Sequence, residues 1–273
     1  MTFVIDVADG VTRLARSNTC FLSTGFDGGT RRADAAYNVA VPEGWGDDGP
    51  RDLRAYVDDR LVGAGFNPAP DAPALLTGVD QRHARVARLE DVVVLATVGI
   101  SNPAALPVDV PESLPVAATG SATESAETGR SRNDENDGLD DTDPSEGTPP
   151  IGTVNLLLGT TRALSAGALA NLVAVAAEAK AATLLATTGF PGTTSDAIVV
   201  GSASDGEAAE FSGAATPVGD ATRACVRDAV LASLRSRYPR GDVPTAVSDA
   251  EHGIVTDRRA DVTPVVDVPE MDD

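Results

Sequence analysis

The sequence of 273 residues contains few side chains that bind metals or cofactors. It has two cysteines, two histidines and one lysine, and only 4% of its residues are aromatic. Cys20 and Cys225 lie far apart without a CxxC spacing, so the sequence predicts neither a zinc or iron–sulfur site nor a disulfide framework. We therefore expect no metal or other cofactor that belongs to the protein itself.

Positive charge is also scarce, with 21 Lys and Arg against 41 Asp and Glu and a formal net charge of −20. Because no basic cluster offsets this charge locally, we expect no nucleic-acid partner and no membrane partner. No apolar run approaches the ~18 residues of a membrane span, and the N-terminus has no basic region followed by an apolar stretch. Arginine replaces lysine everywhere except at Lys180, which together with the acidity is typical of a cytoplasmic protein of a salt-loving organism.

Two acidic segments have almost nothing to bury. Residues 117–150 contain nine acidic residues and two arginines, and residues 248–273 contain eight acidic residues and two arginines. Such segments cannot recover the entropy lost on folding, so we predict a disordered insertion and a disordered tail. Residues 1–116 and 151–247 then form one globular domain.

The remaining chain alternates short apolar runs with helical patterns. We predict strands at 3–7, 19–24, 74–78, 92–99, 153–159 and 197–203, and helices from Leu53, over 165–187 and over 220–238. Ser165 and Asp220 are the predicted N-caps of the last two helices. The continuous apolar run at 92–99 indicates burial on both faces, and the 165–187 helix is apolar nearly all round, as expected of a helix between two layers. The alternation predicts an α/β or layered α+β fold with mixed sheets and two long packed helices.

The apolar 165–187 helix carries three polar side chains of interest. Asn171 and Glu178 are seven residues apart and therefore share one face. They either contribute to a site or satisfy backbone groups of a loop, because isolated polar groups on such a helix are costly. Lys180 lies about half a turn from that face; either its compact ammonium is needed there, or it is an ordinary side chain that reaches solvent.

Two turns carry further polar groups. In FPGTTSDAIVVGSA (190–203), several hydroxyls and Asp196 precede a buried strand, which fits either a catalytic cleft or an ordinary turn. In STGFDGG (23–29), Asp27 is followed by Gly28 and Gly29, which allow a close backbone approach to a ligand or a hairpin turn.

Several of these segments, taken in order, resemble the successive motifs of adenosylcobinamide amidohydrolases. The matching segments are STGFDGG with Asn38, VVVLATVGISNPAAL, GTVNLLLGTTRALSAGALANLVAVAAEAK, GTTSDAIVVGSA and AAEFSGAATPVGDATRACVRDAV. The resemblance covers most of residues 20–238 and skips the acidic insertion. It implies hydrolysis of the amide between the corrin propionate and aminopropanol, giving adenosylcobyric acid and 1-amino-2-propanol in cobinamide salvage. Cobalt then belongs to the corrinoid substrate.

A weaker resemblance to DmpA-type aminopeptidases and ornithine acetyltransferases implies roles for individual residues. Thr153 would be the nucleophile, released by self-cleavage after Gly152, with Thr194 and Asp196 positioning it and moving its proton. Asn102 and nearby amides would receive the oxyanion. If the chain stays intact, water activated by Glu178 or Asp196 is the alternative.

The remaining residues of the matching segments are predicted to bind substrate. They are Asp27, Gly28, Gly29, Asn38, Asn155, Asn171, Lys180 and Ser195. Two other functions remain open at this point, namely a corrinoid-binding protein without catalysis and an aminopeptidase or acyltransferase of the DmpA kind. A homo-oligomer is also left open.

Overall fold

The computed structural model describes residues 2–42, 45, 52–69, 71–110, 152–250, 252–263 and 265. The predicted insertion at 117–150 lies outside these residues, so its disorder stays a prediction. The described chain forms a mixed α/β fold, which confirms the predicted fold class.

The described residues form twelve strands, twice the six that were predicted, and three helices. The strands are β1 (Val4–Ala8), β2 (Val11–Ser23), β3 (Gly29–Ala40), β4 (Ala74–Thr77), β5 (Arg85–Leu89), β6 (Val92–Val98), β7 (Ala104–Ala105), β8 (Val154–Thr160), β9 (Ala163–Leu164), β10 (Ala197–Ala203), β11 (Ala208–Ala209) and β12 (Ile254–Val255). The helices are α1 (Leu53–Gly63), α2 (Ala166–Thr188) and α3 (Pro217–Arg237), with short 3-10 turns at Gln81–His83 and Val247–Asp249.

Eight strands form one mixed sheet in the order β4-β3-β2-β10-β8-β6-β5, with β1 also paired to β2. The first half of β2 pairs with β1 and its second half with β10, and its register with β3 shifts between Ala15 and Thr19. Such an irregularity bends a strand, and here it folds one half of the sheet across the other. Phe3 and Leu14 from the first half consequently pack in one core cluster with Leu157 from the second.

Helices α2 and α3 cover the opposite face of the sheet, where β6 and β8 are buried along their whole length, as predicted for β6. Ser165 caps α2, because its hydroxyl accepts the amide of Ala168. The predicted cap of α3 is wrong: Thr216 accepts the amide of Gly219, and Asp220 lies in the first turn. Pro217, with its fixed φ, starts the helix before Asp220 is reached.

Helix α2 is not enclosed between two layers, contrary to the expectation from its composition. Ten of its 23 residues are buried, whereas Leu185 is half exposed. By length and composition alone α2 could cross a membrane, and half of its most apolar window is buried inside the protein. The sequence-based statement concerned unbroken apolar runs, and α2 is interrupted by Asn171, Glu178 and Lys180.

The C-terminal segment is partly ordered against the domain. Strand β12 pairs in parallel with β7, and the amide of Ile254 donates to the carbonyl of Pro103 at 3.0 Å. This differs from the prediction that the chain is disordered from Ser248 onward, because backbone pairing does not require the apolar side chains on which that prediction depended.

Candidate active site

Thr153 and Asp196 lie side by side at the openings of two neighbouring strands. Strands β8 and β10 are parallel partners, with Ala197 opposite Asn155. The amide of Val154 donates to Asp196 Oδ1 at 3.0 Å. Both Thr153 and Asp196 line a single cavity of about 280 Å³. The weaker resemblance, in which Asp196 positions Thr153, requires the two residues to be close together, and the geometry agrees with this requirement.

The Asp196 carboxylate accepts hydrogen bonds from four donors. Oδ1 accepts the Val154 amide and the Thr193 hydroxyl at 2.5 Å, and Oδ2 accepts the Thr193 amide at 3.1 Å and the ammonium of Lys180. The Lys180 and Asp196 side chains are only 11% and 13% exposed. Because a carboxylate has about four acceptor positions, this one is fully occupied and fixes the start of β8 in place.

The space around this ion pair depends on Gly192. A Cβ at this position would overlap Asp196 Oδ2 and would lie 2.8 Å from Lys180 Nζ. Because Gly192 has no side chain, Lys180 and Asp196 can meet. The backbone of Gly192 lies so close to them that the ammonium has little additional room.

Thr153 is 4% exposed, and its hydroxyl has no hydrogen-bond partner among the described residues. The residue before it, Gly152, has no room for a side chain, since a Cβ would overlap Asn102 Oδ1 and lie 2.5 Å from Ser101 Oγ. The hydroxyl of Ser195 also lines the cavity and donates to the carbonyl oxygen of Gly152 at 3.3 Å. The Gly152–Thr153 peptide bond therefore lies between a carbonyl oxygen that accepts a hydrogen bond, on Gly152, and a hydroxyl that makes none among the described residues, on Thr153.

Asn102 is fully buried beside Gly152 and is not part of the cavity wall. Its side-chain Nδ2 donates to Thr194 Oγ1 at 2.5 Å, and its backbone carbonyl oxygen accepts the Thr194 amide at 3.2 Å. This geometry does not support the oxyanion role that the resemblance implied for Asn102, because the residue does not line the cavity and its side-chain amide bonds Thr194. The Thr194 hydroxyl bonds Asn102. The contact with Asp196 that was predicted for Thr194 is made by the hydroxyl of the neighbouring Thr193.

Two further predicted residues, Asn38 and Asn155, are buried below the cavity. Asn155 Nδ2 donates to Asn38 Oδ1 at 2.9 Å and to the carbonyl of Leu76 at 2.8 Å, while Asn38 Nδ2 donates to Thr97 Oγ1 at 3.0 Å. These bonds join the two folded halves of the sheet. Both asparagines therefore support the cavity wall and do not reach into the cavity, contrary to the predicted substrate contact.

The cavity wall is mostly apolar and comes from segments far apart in sequence. Besides Thr153, Ser195 and Asp196 it consists of Thr24, Gly25, Phe26, Val41, Trp45, Leu53, Leu75, Leu76, Thr77, Gly78 and Ala197. The Trp45 ring is buried and packs against Tyr56 with centroids 4.1 Å apart. None of the apolar members was predicted as a site residue; the strand pattern ALLTG and the single tryptophan were the available signals.

The comparisons with known proteins agree with the motif resemblance. The adenosylcobinamide amidohydrolase family matches residues 6–242. The chain is also 52% identical, over 260 residues, to a protein of Halobacterium salinarum named adenosylcobinamide amidohydrolase; the match covers 95% of this chain and 98% of that relative. This chain belongs to the adenosylcobinamide amidohydrolase family.

In this family member, Glu178 and Asn171 lie outside the cavity wall, so the geometry does not support the roles predicted for them. The two side chains share a face, as predicted, but that face points to solvent. Glu178 is 66% exposed and lies 3.8 Å from Arg223, and Asn171 donates to Ser212 Oγ in the loop before α3. Lys180 lies about 200° from Glu178 around the helix, so only one of the two can face the site.

In the STGFDGG segment, the predicted ligand-binding residues Asp27, Gly28 and Gly29 lie outside the cavity wall. The segment is the hairpin turn between β2 and β3, where Asp27 is exposed and bonds Arg31 and Arg54. A Cβ at Gly28 would lie 2.7 Å from the Ser23 carbonyl, so the tight turn requires this glycine, and Gly29 has a φ of 101°. The other half of the segment, Thr24 to Phe26, does line the cavity.

The described part of this amidohydrolase-family chain brings no three His, Cys, Asp or Glu side chains together as metal ligands. The expectation that the protein holds no metal of its own stays a prediction. The thiol of Cys225 is buried, and desolvation raises its pKa to about 11.

Proposed function

We propose that this protein hydrolyses the amide that joins aminopropanol to the corrin propionate of adenosylcobinamide, giving adenosylcobyric acid and 1-amino-2-propanol for cobinamide salvage. The family membership and the name of the Halobacterium salinarum relative support the substrate. The observation that supports the chemistry is the placement of Thr153, with an unengaged hydroxyl, beside the Asp196–Lys180 pair on the wall of one cavity.

The size of the cavity suits the side chain of the substrate and not its ring. At about 280 Å³ it falls just below the roughly 300–1,000 Å³ of cavities that enclose drug-sized molecules. The aminopropanol amide would enter, while the much larger corrin would stay at the mouth. Its cobalt would then remain outside the reacting region as part of the substrate.

Thr153 Oγ is the proposed nucleophile. It attacks the carbonyl carbon of the substrate amide, the C–N bond breaks, and the nitrogen takes a proton and leaves as 1-amino-2-propanol. Water then hydrolyses the ester on Thr153, which releases adenosylcobyric acid and restores the hydroxyl.

The proton of the Thr153 hydroxyl needs an acceptor, and Asp196 is a poor one because four donors already occupy its oxygens. Glu178 is exposed on the far side of α2. We therefore favour self-cleavage of the Gly152–Thr153 bond: Thr153 Oγ attacks the Gly152 carbonyl carbon, the hydroxyl proton passes to the Thr153 nitrogen as the C–N bond breaks, and water hydrolyses the resulting ester. The new α-amine of Thr153 then acts as the base towards the substrate. In an intact chain, water activated by Asp196 would require that carboxylate to give up one of its donors.

Ser195 supplies the proposed donor for the developing oxyanion. Its hydroxyl bonds the Gly152 carbonyl, which is the group that Thr153 would attack during self-cleavage. Once that carbonyl has moved away, the same hydroxyl can donate to the substrate carbonyl. Asn102 then positions the neighbouring loop through Thr194 and does not contact the substrate.

The charge of the chain supports a proposal for its working environment. The net charge of −20 and a relative from a halophile support function in a salt-rich cytoplasm, where hydrated carboxylates keep the protein soluble. Assays are therefore best performed at high salt. A homo-oligomer stays a prediction, to be tested by light scattering under the same conditions.

The test uses the Thr153→Ala variant with adenosylcobinamide as substrate. Turnover should fall by at least about a thousandfold, whereas Thr187→Ala, on the exposed side of α2, should retain wild-type turnover. Mass spectrometry of the wild type should show a chain divided after Gly152, and the Thr153→Ala chain should stay whole. Unchanged turnover in Thr153→Ala would remove this residue from the reaction.

The same assay separates the alternative functions. Release of aminopropanol from adenosylcobinamide, with a peptide amide left intact, supports the proposal. Tight binding of adenosylcobinamide without any aminopropanol would indicate a corrinoid-binding protein. Turnover of the peptide amide or of an N-acetyl substrate instead would indicate a DmpA-like aminopeptidase or acyltransferase.

A further inference from the structure

The loop Ser101–Ala105, which carries Asn102, lies between two other segments of backbone. On one side its even-numbered residues bond the turn before Asp196: the Ala104 amide donates to the Gly192 carbonyl at 3.0 Å, and the Asn102 carbonyl accepts the Thr194 amide at 3.2 Å. An antiparallel bridge joins Pro103 and Thr193. The loop is thus tied directly to the segment that presents Asp196.

On its other side the same loop bonds the C-terminal segment His252–Thr256. The carbonyls of Ser101, Pro103 and Ala105 accept amides of this segment at 3.2, 3.0 and 3.0 Å, donated by His252, Ile254 and Thr256. Alternate residues of the loop therefore face opposite neighbours, as in the central strand of a three-stranded sheet. Both edges of the loop backbone are therefore paired between Ser101 and Ala105.

The C-terminal segment lies outside the part of the chain that matches the family, which ends at residue 242. It contributes little apolar burial, since Ile254 and Val255 are 52% and 49% exposed. Its backbone bonds nevertheless fix the outer side of a loop whose inner side contacts Gly152, next to Thr153. Geometry at this peptide is demanding, because a displacement of about 1 Å can cost about a hundredfold in rate.

We propose that the segment His252–Thr256 is a positioning element of the active site, which holds the Ser101–Ala105 loop so that Asn102 stays packed against Gly152 and bonded to Thr194. The three backbone hydrogen bonds of the segment all go to this loop, which does not itself line the cavity, so the proposed effect of the segment on the site is indirect. The effect on turnover rests on the proposed function, whereas the effect on the loop does not.

The test compares two proline variants at adjacent, equally exposed positions. Ile254→Pro removes the amide that donates to Pro103, whereas Val255→Pro removes an amide that makes none of these three bonds. In Ile254→Pro, hydrogen exchange of the Ala104 and Thr194 amides should accelerate at least about tenfold, because the loop opens locally. Its kcat should fall between about tenfold and a hundredfold with KM within about twofold, while Val255→Pro keeps wild-type values.

Truncation provides a second comparison that does not depend on proline. A chain that ends after Glu251 lacks the segment, and a chain that ends after Arg258 keeps it; only the shorter chain should show the faster exchange and the lower kcat. Unchanged exchange at Ala104 and Thr194 in both Ile254→Pro and the shorter chain would overturn the proposal, as would faster exchange with unchanged kcat. If the wild type fails to hydrolyse adenosylcobinamide, the proposed function fails, and exchange alone still decides whether the segment holds the loop.

Discussion

Removal of the Lys180 ammonium is the most direct test of the site geometry. In Lys180→Met, the unbranched side chain keeps the apolar packing of the lysine stem, but the Asp196 carboxylate loses one of its four donors. Breaking a buried ion pair from one side costs roughly 3–5 kcal/mol, because the remaining charge is left without its partner. Since this pair is 11% and 13% exposed and three donors remain, we expect a loss of about 3 kcal/mol, at the lower end of that range.

The measurement is chemical unfolding in high salt, followed by circular dichroism, with the denaturant slope compared between variants. Arg223→Met, on α3, is the matched control, because Arg223 pairs at 3.8 Å with Glu178 of α2, the helix that carries Lys180, and both of these side chains are exposed. That surface pair should contribute less than about 0.5 kcal/mol. The double variant Lys180→Met with Asp196→Asn should lose less than the sum of the two single variants, since the neutral amide no longer needs the ammonium.

Turnover provides the functional half of this test. Without the lysine, Asp196 can shift away from the Val154 amide. The kcat for adenosylcobinamide should therefore fall even under conditions in which the variant is fully folded, far below the denaturant concentration of its unfolding transition. If Lys180→Met is no less stable than Arg223→Met, the buried pair does not organise the start of β8, and the reasoning about the site is wrong.

Two further predictions concern single residues. Gly152→Ala places a methyl group on Asn102 and Ser101, so we expect at least a tenfold loss of turnover and a loss of stability of about 1–3 kcal/mol, measured by the same assays; a wild-type result would show that this peptide has room to move. Burial, and then the nearby Arg237, lower the pKa of His83 from 6.5, so its contribution to stability is present above pH 6.5 and is lost as the pH falls below that value. The difference in unfolding free energy between the wild type and His83→Gln should therefore decrease between pH 7.5 and pH 5.5, and a constant difference would contradict this.

The buried half of the fold could be predicted from sequence because its strands are continuous apolar runs. The predicted strands at 92–99 and 153–159 agree with β6 and β8 to within a residue or two, and the helix over 165–187 agrees with α2. Strand β3 was not predicted. Its first half, with Arg31, Arg32 and Asp34, has no apolar alternation, and only its pairing with β2 makes it a strand.

The site could be predicted only where strand order and spacing determine proximity. Thr153 and Asp196 both precede buried strands, and parallel pairing brought them together. The spacing of Asn171, Glu178 and Lys180 determines which of them share a face, but not which face is inside, because alanines cover both sides of α2. Similarly, Asn38 and Asn155 were recognised as important polar residues, but sequence does not distinguish a group below a cavity from one inside it.

The narrow space at Gly192 also bears on the composition of the whole chain. Everywhere else the protein uses arginine as its basic residue, and at exposed positions the wider, planar guanidinium can take many orientations. At the end of the Lys180 side chain, only a rounded headgroup fits between the glycine backbone and the carboxylate. A shift in composition toward arginine would therefore be tolerated at the surface but would meet a steric limit here, which offers a physical reason why the single lysine of this protein is found at this position.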